Sequence, residues 1–114
     1  MQIKNKEELL SLIWANGGNA KPVIIFWEDA GHGWLQVPMQ LCDKLAISNK
    51  ISKFSYLSRG FYYLEEDCDL SLFLNAIMID YNNDELRKLF WDNCPKEYEE
   101  NSHIRNFKRV AIAG

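Results

Sequence analysis

Apolar positions alternate with polar ones in two periods along this chain, and the changes of period mark its elements. Leu9, Leu10, Ile13 and Trp14 recur at helical spacing behind Asn5 and Glu8, which suit a capping box, and Gly17-Gly18 supplies a left-handed stop. A helix over about 6–16 is predicted. Val23-Ile24-Ile25-Phe26-Trp27 is a continuous β-branched and aromatic run, the signature of a central strand covered on both faces. Trp34-Leu35-Gln36-Val37 reads as a second strand, and the Gly-rich stretch between the two makes them a hairpin. Pro38 ends that strand and suits the first position of a helix whose Pro38, Leu41, Cys42 and Leu45 form one stripe.

The second half repeats the scheme. Residues 53–57 and 61–65 read as two further strands joined by Ser58-Arg59-Gly60. Leu70, Phe73, Leu74, Ile77 and Met78 give the clearest amphipathic pattern, a helix over 69–79 that Asp67 or Asp69 can cap. An Asn82-Asn83-Asp84 cap opens a helix that buries Leu86, Leu89 and Phe90 and stops at Pro95. After the charged stretch 96–100, Ser102 caps a last short helix with Ile104 and Phe107 inward. The expected fold is α+β: a roughly four-stranded antiparallel sheet of two hairpins with helices packed on it, in the order α-β-β-α-β-β-α-α. The 114 residues make a single domain, 1–114.

Composition narrows the function classes. A hydrophobic share of 47% and a charged share of 25% are those of a globular domain. Thirteen basic against sixteen acidic residues leave a formal charge of −3, which argues against nucleic acid as the main partner. Residues 1–8 lack the apolar core of a signal peptide, and no apolar run approaches the ~20 residues of a membrane span. Three cysteines, Cys42, Cys68 and Cys94, without a C-x-x-C pair suit reduced thiols and a cytoplasmic protein.

Two stretches carry chemistry. In Glu28-Asp29-Ala30-Gly31-His32-Gly33-Trp34, glycines flank a histidine and allow positive φ beside it. An imidazole displayed next to Glu28 and Asp29 can serve as a general base; equally, the stretch is a plain hairpin turn whose histidine packs on Trp27 or Trp34. In Glu65-Glu66-Asp67-Cys68-Asp69, four carboxylates fall within five positions and call for a cation, a basic partner or open water, or else cap the following helix. Cys68 is a poor nucleophile because the neighbouring acids raise its pKa. Cys42, Cys68, Cys94, His32 and His103 hold no chelating pair, so neither a zinc site nor any other cofactor is expected. The basic stretch His103–Arg109 can meet a phosphate, an acidic partner or the acids at 65–69. The aromatics Phe54, Tyr56, Tyr62 and Tyr63 lack interleaved cations and read as sheet core. The composite site expected is His32 brought against Glu65, Glu66 or Asp67.

The strings Glu28–Pro38, Ile51–Tyr56 and Tyr63–Asp69 together resemble a family of small proteins carried on phages, plasmids and integrated elements of bacteria, over about residues 26–73. Ala30 stands where that pattern has proline. The resemblance implies no catalytic role. It implies an accessory protein that binds or inhibits host machinery, with anti-defence activity among the expectations. The partner is then a host protein, and the binding face comprises Glu28, Asp29, His32, Trp34, Glu65, Glu66, Asp67 and Asp69. The alternative is a small metal-assisted hydrolase using His32 with Glu66 and Asp67 of the acidic 65–69 segment. Oligomeric state is left open by the sequence.

Overall fold

Asn5 starts the first helix by accepting the Glu8 N–H on its side chain (2.9 Å), while the Glu8 carboxylate reaches back to the Lys4 N–H (2.8 Å). This is the expected capping box displaced by one residue at its return bond. The computed structural model describes residues 2–14, 21–77 and 84–111. Helix α1 spans Lys6–Trp14. Strands β1 (Ile25–Glu28) and β2 (Gly33–Pro38) form the first hairpin, followed by α2 (Met39–Lys44). Strands β3 (Tyr56–Ser58) and β4 (Phe61–Glu65) form the second, followed by α3 (Leu70–Ile77) and α4 (Asp84–Asn93). Gly17-Gly18, Met78 and Asn82-Asn83 lie outside the described residues.

The α+β class and both hairpins stand, and the hairpins join through antiparallel β2 and β4. The sheet, however, has six strands and is mixed, in the order β5-β1-β2-β4-β3-β6. The added strands are β5 (Lys96–Tyr98), parallel to β1, and β6 (Lys108–Arg109), antiparallel to β3. Every residue of both is exposed, so neither carries an apolar signature. They pair because β1 and β3 offer unpaired main-chain edges. The last short helix is a 3-10 turn, His103–Asn106, with the Ser102 hydroxyl accepting the Ile104 N–H (3.2 Å) as the sequence predicts.

Side chains on a strand alternate between faces, and the two faces of this sheet differ. Phe26, Leu35, Val37, Tyr62 and Leu64 join Leu9, Ile13, Phe73, Leu74, Ile77 and Phe90 in the larger core under the helices. Trp34, Tyr56 and Tyr63 point the other way and meet Ile104, with Trp27, Phe61 and Phe107 around them. This second, smaller cluster is roofed by the 3-10 turn and carries the site.

Candidate functional site

The turn of the first hairpin is built on Asp29. Its carboxylate accepts the N–H groups of Gly31 (3.0 Å) and His32 (2.9 Å), and its own N–H donates to the His32 carbonyl (2.9 Å). Arg105, from the 3-10 turn, closes the other side with Nε on Oδ2 (2.7 Å) and Nη2 on Oδ1 (3.1 Å). The Arg105 guanidinium holds the Asp29 carboxyl well below the carboxylate range; burial opposes this, and the backbone N–H groups of Gly31, His32 and Ser102 add to the lowering. The glycines act differently from the expectation. Among the described glycines only Gly60, in the second hairpin turn, has positive φ. Gly33 is required by close approach instead: a Cβ there would sit 2.4 Å from Cζ of Phe26.

Register then explains how the two chemistry-bearing stretches meet. Trp34 lies opposite Glu65, and the Glu66 N–H, one residue beyond β4, donates to the Gly33 carbonyl at the start of β2 (3.0 Å). His32 and Asp67 follow in the adjoining turns and line the same pocket as Trp34 and Glu65. His32 Nδ1 stands 3.5 Å from Oε1 of Glu65, whose side chain is 9% exposed against 48% for His32. The other Glu65 oxygen accepts the Asp67 N–H (2.9 Å). The His32 ring also tilts against Trp34, 6.0 Å between centroids. The expected contact between His32 and the acidic segment is present, and it is made with Glu65.

A pocket of about 250 Å³ opens on this face. His32, Glu65, Asp67 and Cys68 line it with Arg105 and Arg109, and Trp34, Tyr56 and Phe54 supply its aromatic surface. The guanidinium of Arg105 lies 5.1 Å from the Trp34 ring centre and that of Arg109 lies 5.3 Å from Tyr56. Lys53 Nζ lies 5.7 Å from Phe54. The fold therefore brings Arg105 and Arg109 to aromatics distant in sequence, whereas Lys53 is already the neighbour of Phe54; Tyr56, Tyr62 and Tyr63 are buried as expected, and Phe54 is exposed instead. Trp34 Nε1 is buried and, among the described residues, has no hydrogen-bond partner, a rarity in a native interior.

The remaining binding candidates separate. Glu28 and Glu66 line a neighbouring groove with Phe26, Leu70, Trp91 and Lys96. The Glu66 carboxyl is pushed up by desolvation and then by the charges of Asp67, Glu65 and Glu28. Asp69 is buried away from the pocket, where its Oδ2 accepts the Ser52 N–H (3.0 Å) and the hydroxyls of Ser52 (2.7 Å) and Ser55. The Cys68 thiol is pushed up to about 11 by its hydrogen bond to Glu65, by desolvation and by the charges of Glu65, Asp69 and Asp67. It is protonated at neutral pH and inert as a nucleophile. Cys42 and Cys94 sit in the larger core, their thiols raised to about 12 and about 11 by burial. His103 pairs with Glu99 and packs edge-on against Trp27.

No family model matches the chain, and neither does any curated protein or solved structure. No helix among the described residues is long and apolar enough to cross a membrane. Sequence reasoning passes over Arg105, Arg109, Phe54 and Tyr56 as site residues. The signal for the arginines is the basic stretch 103–109, but its pairing is not with the acids at 65–69. Arg105 meets Asp29, and Arg109 donates to the Lys53 carbonyl (3.5 Å).

Proposed function

We propose that this protein is a binding module that docks a partner protein in the pocket between the first hairpin and the acidic turn. The observation that supports this reading is the division of the pocket: His32, Glu65 and Asp67 stand with Arg105 and Arg109 around an aromatic floor. A segment with an apolar side chain for Trp34, Tyr56 and Phe54 and a carboxylate for Arg109 suits that division. Cys68, the one thiol on the rim, is pushed up to about 11 and is a poor nucleophile. The resemblance to accessory proteins of mobile elements makes a host protein the partner class and inhibition of host machinery, defence systems included, the role.

Phe54 is 49% exposed and Arg109 is exposed, so both can be changed without opening the core. Immobilised full-length protein should retain one stoichiometric partner from a bacterial host lysate. Phe54→Ser with Arg109→Glu should abolish that capture with the far-UV spectrum unchanged. Equal capture by the double variant, or no stoichiometric partner for the unchanged chain, would remove this reading. The grouping of His32, Glu65 and Asp67 favours one second reading, metal-assisted hydrolysis. Cation-dependent turnover lost in His32→Gln would put that reading first.

A further inference from the structure

The pairing of β2 with β4 brings the turns at their ends together and sets an imidazole and two carboxylates side by side. One ligand atom from each of His32, Glu65 and Asp67 lies within 4.8 Å of the others. His32 and Asp67 are exposed, whereas Glu65 is buried and its carboxylate accepts the Asp67 N–H. Small rotations of the two exposed side chains bring all three donors onto one ion, at the 2.0–2.2 Å typical of such bonds.

The electrostatics of this wall point the same way. Among the described residues, the cation paired with Glu65 is His32, which is charged only when protonated. The Asp67 carboxylate lies beside it in the same cluster. Of the two arginines that line the pocket, Arg105 is already paired with Asp29, and Arg109 lies over Tyr56 and donates to the Lys53 carbonyl. The wall thus holds more negative charge than its own cations neutralise, and a dication offsets the excess.

We propose that His32, Glu65 and Asp67 form a binding site for a divalent first-row transition-metal ion, with its remaining coordination positions open to the pocket. One nitrogen and two carboxylate donors suit zinc or manganese better than magnesium, which takes oxygen and keeps its water. The absence of a chelating pair in sequence is no obstacle, because strand pairing assembles the donors from two segments. The inference rests on this cluster alone and holds whether or not a partner protein docks beside it.

The full chain, stripped of metal by chelation and dialysis, is titrated with Zn²⁺ and Mn²⁺ by calorimetry, with Mg²⁺ for comparison. One Zn²⁺ per chain is expected, with no heat of site binding from Mg²⁺ over the same range. His32→Gln and Asp67→Asn, both on exposed side chains, should each weaken Zn²⁺ binding by at least about 10–100-fold, the loss that even outer-shell changes cause. His103→Gln, at a histidine outside the pocket that pairs with Glu99, should leave it unchanged. With Cu²⁺ as a spectroscopic probe, the imidazole-nitrogen coupling should vanish in His32→Gln and persist in His103→Gln. No saturable one-to-one binding overturns the proposal, as does binding that survives both His32→Gln and Asp67→Asn. Partner capture is a separate measurement, so either result can fail without the other.

Discussion

Asp29 fixes the first hairpin turn from inside. It satisfies two turn N–H groups and receives a two-point bond from an arginine 76 positions away in sequence. Asparagine can still cap the turn but loses the charge that holds Arg105. Asp29→Asn should therefore cost about 1.5–3 kcal/mol at pH 7, the range for hydrogen bonds to charged groups. The sign with pH follows from the lowered carboxyl. The folded chain binds this proton less readily than the unfolded chain, so the contribution is complete above the ordinary carboxylate pKa of about 3.9. It is lost as pH falls below that value toward the lowered one. Urea denaturation should show a constant gap between wild type and Asp29→Asn from pH 7 to 5, and a smaller gap at pH 3.

At the scale of elements, Asp69 does something its position in sequence does not suggest. It stands just before α3, where an aspartate ordinarily caps, yet its carboxylate reaches across to Ser52 and Ser55. That tether makes 52–55 a turn, delays β3 to Tyr56 and leaves Phe54 on the rim of the pocket. Asp69→Ala would leave the fully buried Ser55 hydroxyl without its acceptor, although that hydroxyl still accepts the Glu65 N–H. A loss of about 1–3 kcal/mol in chemical denaturation is expected for an orphaned buried group. The same residue shows what sequence can and cannot disclose. Both hairpins and α1, α3 and α4 are legible because each has an apolar period, turn residues or a cap of its own. β5 and β6 are not, because their bonds are made by main chain at sheet edges and their side chains are exposed. The contact of His32 with Glu65 is legible as charge complementarity between two turns, whereas Arg105 on Asp29 requires the three-dimensional path of the chain's last segment.

In the whole molecule the two faces of one sheet carry separate cores, and the candidate pocket opens on the face of the smaller one. The helix-covered face holds the larger core, and the opposite face holds Trp34, Tyr56, Tyr63 and Ile104 under the 3-10 turn. Ile104 is fully buried and neighbours Arg105, so the packing that fills the smaller core also seats the guanidinium on Asp29 and, through that turn, positions His32. Ile104→Ala should cost about 2–5 kcal/mol, as large-to-small core changes do. It should also loosen the pocket. Phe73→Ala, on the helix side, should cost a similar ~3–5 kcal/mol and leave the pocket's geometry intact in the molecules that remain folded. Denaturation curves give the first quantity for both variants. Zn²⁺ titration, at a temperature where both are folded, gives the second: weakened by Ile104→Ala and unchanged by Phe73→Ala. Equal affinities in the two variants would mean that the smaller core supports the sheet without governing the site, and that His32 is positioned by the hairpin turn alone.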